Sequence, residues 1–372
     1  MAEIVVVDNA SSDGSRNYFE GRFPQVKFIW LENNIGFGRA NNSALARATG
    51  EFVLFLNPDT IVAEDTFDIC LAFASKQTNF GALGIRMIDG SGNFLPESKR
   101  MFPSLSASFY KMTGITRLFP RSGYISKYYA AHLSEYNSGE VEVLAGACMM
   151  VRKSVLDITN GFDEDFFMYG EDIDLSYRII QAGFKNFYCG DTSIIHFKGE
   201  SIQRGSASYL KNFYGAMLLF VKKHSKRPKP SIKAAILAAY AMARLKQLLN
   251  SAGSPTSALD KTSMAIAARE DVFNKVLQII KLSVYPFTVT GRIGIDENDV
   301  DHSLGSINQL KSIVRKDRIT HIVMAEGELS FKKMIEVIMA NKNAVRFFIH
   351  AYNSKSIVGS NDKNTSGYYI AG

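Results

Sequence analysis

Three times within its first 60 residues the chain runs a short apolar segment straight into a cluster of polar turn formers. Ile4 to Val7 leads into Asp8, Asn9, Ser11, Ser12, Asp13 and Gly14; Phe28 to Leu31 leads into Asn33, Asn34 and Gly36; Phe52 to Leu56 leads into Asn57-Pro58-Asp59-Thr60. Segments this short and apolar at every position read as strands covered on both faces. A helix-like stretch from Arg39 to Ala48 separates the second from the third. The alternation predicts an α/β domain with a largely parallel sheet. It also delivers polar side chains to the carboxyl ends of strands, where open α/β sheets bind ligands.

The pattern loosens from Arg86 to Glu140, an aromatic-rich segment whose Asp89-Gly90-Ser91-Gly92-Asn93 is a hairpin signal. Order returns over Val141 to Val151, then in a helix from Glu171 to Gln181, strand-like pieces Asn186 to Tyr188 and Ser193 to Phe197, and a helix from Ala207 to Lys223. Lys222, Lys223, Lys226, Arg227 and Lys229, punctuated by Pro228 and Pro230, read as a linker ahead of a helical stretch from Ile232 to Leu249. A second, smaller alternation of strands and helices runs from Met264 to Ile349, and the polar tail after it reads as poorly ordered. The chain thus divides into a main α/β unit over residues 1–225, a basic and helical connector over 226–260, a small Rossmann-like α/β domain over 261–352 and a flexible tail over 353–372.

A hydrophobic content of 46% over 372 residues supplies enough apolar surface for two cores and excludes a disordered chain. The three cysteines are scattered with no C-x-x-C pair, which excludes a disulfide scaffold, argues against structural zinc and suits a reducing compartment. The N-terminus lacks a basic segment followed by an apolar one, so a cytoplasmic location is expected. The most apolar segment, Ala234 to Ala243, is interrupted by Arg244 and Lys246 and falls short of the ~20 apolar residues of a spanning helix. The net charge of +7 is not arranged as basic residues interleaved with aromatics in a nucleic-acid module, so no nucleic-acid partner is expected. The basic run and the helix after it have two readings: peripheral docking on the anionic cytoplasmic face of a membrane, or a solvated linker with a helix packed on the main unit.

Asp8 and Asp59 end two of the apolar runs. If those strands are neighbours, both carboxylates open on one rim of the sheet, where they can accept hydrogen bonds from a nucleoside or hold a divalent cation. The plainer reading gives Asp8 an Asx-turn and makes Asp59 a helix cap. Phe162 to Leu175 sets six acids among aromatics at the approach to a helix. Acids in a first helical turn are favoured by the helix dipole, but a carboxylate among aromatics also has a raised pKa, which suits a general base near neutral pH. His196, at the end of a strand-like run, is a candidate metal ligand.

These residues carry a resemblance. Val6 to Ser15, Glu32 to Asn42, Ala48 to Thr60, Gly146-Ala147, Tyr169 to Ile179, and His196 with Ser201 resemble, in order, the signature blocks of family 2 glycosyltransferases, in particular the bacterial rhamnosyltransferase-like enzymes of surface polysaccharide synthesis. The resemblance implies a GT-A fold, a mixed sheet with helices on both faces, and inverting transfer from a nucleoside-diphosphate sugar, dTDP- or UDP-linked, to a glycan or lipid-linked acceptor. It gives Asp8 a contact to the nucleotide base and places Asn41 and Asn42 on the helix lining the nucleotide site. Gly146 and Asn57 join the substrate site, with Asn57-Pro58-Asp59 standing where the family has its D-x-D motif. Asp59, with His196, becomes the ligand of Mg2+ or Mn2+, Asp172 the general base, and Glu171 its neighbour in the acceptor site.

Two departures accompany it. The first block here matches what the family carries as its second strand, which leaves open a catalytically inactive GT-A-like binding or scaffold protein. Val289 to Ile335 weakly resembles the Rossmann-like half found ahead of some membrane sugar-phosphate transferases, yet Ala267-Ala268-Arg269-Glu270 stands where a glycine-rich turn would be, which disfavours a bound dinucleotide.

Overall fold

A computed structural model describes residues 2–102, 128–197, 206–225, 230–250, 262–352, 354–360 and 367–371. Its elements run β1 (Ile4–Asp8), α1 (Ser15–Phe19), β2 (Val26–Trp30), α2 (Phe37–Leu45), β3 (Phe52–Leu56), β4 (Thr60–Val62), α3 (Thr66–Ala74) and β5 (Phe80–Ile88). They continue as β6 (Gly139–Val141), β7 (Cys148–Arg152), α4 (Lys153–Thr159), α5 (Glu171–Gln181), β8 (Lys185–His196), α6 (Ala207–His224) and α7 (Pro230–Asn250). The remainder comprises β9 (Thr262–Ala267), α8 (Glu270–Leu282), β10 (Phe287–Ile293), α9 (Leu310–Lys316), β11 (His321–Ala325), α10 (Phe331–Ala340), β12 (Arg346–His350), β13 (Ser356–Gly359) and β14 (Tyr368–Ala371).

The main sheet has the order β3-β7-β5-β8-β4, with β6 on β8. Only β5 and β8 pair in parallel within it; β3 with β7, β5 with β7, β4 with β8 and β6 with β8 are antiparallel. The sheet is therefore mixed, which corrects the expectation of a largely parallel one. Its centre is covered on both faces. Along β7, Cys148 and Met150 pack with Cys70 and Ala74 of α3, while Met149 and Val151 pack with Val155, Leu175 and Ile179 of α4 and α5. β5, buried at all nine positions, carries no alternation that a sequence pattern could register.

β1 and β2 form a separate parallel ribbon, so Asp8 and Asp59 do not end hydrogen-bonded neighbours. Glu3 ties the ribbon to the turn before β3, accepting from Thr49 N at 2.6 Å and Thr49 Oγ1 at 2.9 Å. Asn9 ties it to the entry of α2, accepting from Ile35 N and donating to Asn34 Oδ1, both at 2.9 Å.

The C-terminal sheet has the order β10-β9-β11-β12-β13-β14, parallel through the first four strands and antiparallel at the last two. Ser356–Gly359 and Tyr368–Ala371 are thus strands where a flexible tail was expected: Ile357 and Ile370, both buried, face each other across the pair and close the α8 side of the core. The domain is not an isolated body either. Ala63, Ile88 and Ile195 of the main unit share one apolar core with Ala267, Ile322 and Ile338. Glu64 accepts from Phe331 N at 2.6 Å and Lys332 N at 3.0 Å, capping α10 from the other unit. At the start of α8, Arg269 N donates to Glu328 at 2.9 Å, so the domain's own carboxylate stands where a dinucleotide phosphate would need that amide.

Candidate active site

The site is assembled around the loop from Ala145 to Ala147, between Val143 and the start of β7. On one side Asn57 N donates to Ala147 O at 2.9 Å, a continuation of the β3 and β7 pairing past Leu56 and Cys148. On the other, Gly146 N points at Asp172 Oδ2 at 3.4 Å. One short loop therefore joins the Asn57-Pro58-Asp59 turn to the first turn of α5.

Beyond that turn, Asp59 and His196 are brought together because the antiparallel pairing of β4 with β8 sets Thr60 opposite His196. His196 Nε2 lies 3.2 Å from Asp59 Oδ1, and His196 is buried with Nδ1 lacking a hydrogen-bond partner among the described residues. Asp59 is not the cap of α3, which starts after Asp65. Ser201 lies outside the described residues.

The first turn of α5 splits its two acids by environment. Asp172 bonds through Oδ2 to Arg100 Nη2 at 2.7 Å and through Oδ1 to Ile173 N at 2.8 Å, with 18% of its side chain exposed. Arg100 also donates to Leu144 O at 2.9 Å. Burial works against the Arg100 charge, but Asp172 and Tyr128 outweigh it and hold the guanidinium pKa above its ordinary value. Glu171 is buried with Oε2 unpartnered among the described residues. Burial, then the Asp172 charge beside it, push its pKa up to about 8, so it keeps its proton at neutral pH. Of the two acids it is Asp172, ion-paired to Arg100 and partly exposed, that an incoming group can reach.

The backbone entering α5 is strained: Tyr169 has φ +68° and Gly170 φ +84°. Two successive left-handed residues turn the acid segment sharply into the helix, and a non-glycine there is held by its surroundings. Those surroundings are α6, since the Tyr169 ring packs edge-on against Tyr209 and Phe213. Ahead of it, Phe37 N donates to Phe167 O at 2.9 Å. Gly36 has φ +91°, and a Cβ there would meet Phe167 O at 2.6 Å, which is why the turn into α2 needs glycine. A cleft of about 460 Å³ opens here between Asn34, Ile35 and Arg39 on one side and Glu164, Asp165 and Phe167 on the other.

The remaining expected residues sit around this frame with their polar groups already engaged. Asp8 Oδ1 accepts from Ser11 N, three residues on, at 2.9 Å, which closes the turn after β1. Asn41 donates back to Phe37 O at 2.9 Å. Asn42 bonds both ways to the Phe162 backbone, donating to O at 2.9 Å and accepting from N at 3.0 Å, so it fastens the acid segment to α2. Arg100 was not legible beforehand. It lies in a stretch without periodicity, 72 residues from Asp172, and only the folded contact reveals it.

Residues 2–158 match the family model described as glycosyl transferase family 2. Over that part of the chain the sequence is similar to that family. It is 29% identical over 234 residues, 60% of its own length and 75% of the relative's, to the N-acetylglucosaminyl-diphospho-decaprenol L-rhamnosyltransferase of Mycobacterium tuberculosis. It is 34% identical over 174 residues to rhamnosyltransferase WbbL of Escherichia coli, covering 44% of this chain and 61% of that one. Among solved structures it resembles the mannosyltransferase PcManGT of Pyrobaculum calidifontis, determined with GDP-Man and Mn2+, at 18% identity and a TM-score of 0.41 over 68% of this chain and 67% of that chain. The chain has a mixed α/β architecture with helices on both faces of the main sheet, as the resemblance implies.

Proposed function

We propose that this protein is a family 2 glycosyltransferase that moves a sugar, with rhamnose the first to test, from a dTDP- or UDP-linked donor to a glycan carried on a lipid diphosphate. The donor diphosphate is read at Asp59 and His196, the acceptor hydroxyl at Asp172. The observation that carries the reading is the loop from Ala145 to Ala147, which binds Asn57 on one side and approaches Asp172 on the other. The rhamnosyltransferase relatives supply the sugar and acceptor class to try first.

A divalent cation suits the Asp59 and His196 pair. The Asp59 carboxylate is an oxygen donor suited to Mg2+ or Mn2+, and the His196 Nε2 that faces it at 3.2 Å is a nitrogen donor that Mn2+ accepts more readily than the oxygen-preferring Mg2+. Among the described residues no group of three His, Cys, Asp or Glu is gathered, so diphosphate oxygens and water would complete the coordination. When bound, such an ion stabilises the negative charge that develops on the leaving diphosphate.

The chain's own residues supply the rest. Arg100 fixes Asp172, and Asp172 takes the proton from the acceptor hydroxyl as its oxygen attacks the anomeric carbon opposite the leaving group. The configuration inverts in that single displacement. Asp172→Asn keeps the shape but removes the base, so transfer is expected to fall at least ~100-fold with nucleotide binding retained. Turnover persisting in that variant would remove Asp172 from the role. Absence of any nucleotide binding by the unaltered protein would favour the scaffold reading instead.

A further inference from the structure

Helix α7 packs one face on α6, through buried Ile236 and Ala239 against Leu210 and Tyr214. Its opposite face is exposed and apolar throughout: Ala234, Leu237, Ala238, Ala241, Met242 and Leu245 recur at three- and four-residue spacing. Leu237, Met242 and Leu245 are 46%, 53% and 59% exposed. Exposed Lys233 borders the stripe at one edge and exposed Lys246 at the other. The charge along this stretch of sequence is one-signed. Between Glu200 and Asp260 lie ten of the chain's 43 Lys and Arg residues and none of its 36 acids, so the rest of the chain is net acidic.

We infer that α7 is an in-plane docking helix that lays this stripe on an anionic lipid bilayer. The chemistry selects that occupant. An apolar ridge flanked by lysines buries its side chains at the boundary of headgroups and acyl chains while the ammonium groups meet anionic headgroups. A second copy seated on the same ridge would bring Lys233 and Lys246 of two chains together, a like-charge juxtaposition that opposes pairing. Among the described residues no helix is long and apolar enough to cross a membrane, so α7 lies on the surface rather than through it.

The docking face is coupled to the site through one intervening helix. α7 rests on α6, and α6 supports the acid segment through the contacts of Tyr209 and Phe213 with Tyr169 and the ion pairs of Lys223 with Asp163 and Asp165. Helices pack at ~8–10 Å between axes, so the bilayer surface would lie close behind Glu171 and Asp172, within reach of a lipid-linked acceptor. That last consequence rests on the proposed transfer reaction; the docking itself does not.

Flotation of the full chain with vesicles tests it. Vesicles of 30% phosphatidylglycerol in phosphatidylcholine should carry at least fivefold more protein than pure phosphatidylcholine. The triple variant L237E/M242E/L245E, whose changes lie on exposed positions, should lose at least tenfold while keeping its far-UV circular dichroism. Independently, Leu245→Trp in a Trp30→Phe background should shift its emission to shorter wavelength on adding the anionic vesicles, which keeps the test decisive if the triple variant misfolds. Flotation of the folded triple variant at the unaltered level, or a Leu245→Trp probe indifferent to vesicles, overturns the inference. So does a dimer of the unaltered protein that the triple variant dissociates with no flotation in either. A protein that floats but transfers no sugar would refute the transfer reaction and leave the docking intact.

Discussion

Removing Arg100 is the perturbation that most sharply separates a positioned base from an incidental carboxylate. Its Nη2 is 2.7 Å from Asp172 Oδ2, and the two side chains are only 11% and 18% exposed, so solvent screens the pair in part. A hydrogen bond to a charged group contributes about 1.5–3 kcal/mol and the bond to Leu144 O about 1 kcal/mol more; Arg100→Ala should therefore destabilise the main unit by about 3 kcal/mol. The larger effect falls on rate. Among the described residues Asp172 would keep only Ile173 N at 2.8 Å and Gly146 N at 3.4 Å, neither of which fixes the carboxylate plane. A displacement of about 1 Å costs ~100-fold in rate. The assay is kcat at saturating donor and acceptor for the unaltered protein and Arg100→Ala, each with and without guanidinium at concentrations far below denaturing ones. The expectation is a loss of about two orders of magnitude in kcat and partial recovery with guanidinium. Turnover within threefold of the unaltered protein, or a loss that guanidinium leaves untouched in a protein that is still folded, would refute the positioning argument.

Two further outcomes follow from the same geometry. Glu171, with its pKa raised to about 8 by burial, keeps a proton in the folded state that the unfolded chain releases near its ordinary value of 4.5. Stability should therefore fall as pH rises between those two values, by up to ~1.4 kcal/mol per unit, and level off above about pH 8; Glu171→Gln should flatten that slope in thermal melts taken from pH 5 to 9, and an unchanged slope would contradict the assignment. Gly36→Ala puts a Cβ 2.6 Å from Phe167 O at a φ of +91°. It should cost about 1–3 kcal/mol and speed amide exchange across residues 162–170, and unaltered exchange there would show that the close approach is not what holds the segment.

Much of the architecture is written in local pattern. Phe52–Leu56 and Glu171–Gln181 are bounded as their periodicity and turn residues demand, because each is closed by its own polar punctuation. β5 and β14 are not legible in that way. The first is buried on both faces, and the second is a polar-flanked edge strand whose order comes from Ile370 packing against a core made by distant residues. At the site, Asp59, Glu171, Asp172 and His196 stand out by type and position. What the chain cannot announce is the contact between them: that β4 and β8 pair so as to set Asp59 beside His196, that Arg100 reaches Asp172, and that burial divides Glu171 from its neighbour.

The central claim is that Asp59 and His196 form the donor site of a metal-using glycosyltransferase. Calorimetric titration of dTDP into the full chain, in Mn2+ and again in EDTA, tests it most directly when repeated on Asp59→Ala and Asp172→Asn. Binding is expected in Mn2+ alone, lost in Asp59→Ala and kept in Asp172→Asn. Equal affinity in EDTA, or undiminished Mn2+-dependent binding by Asp59→Ala, would contradict it.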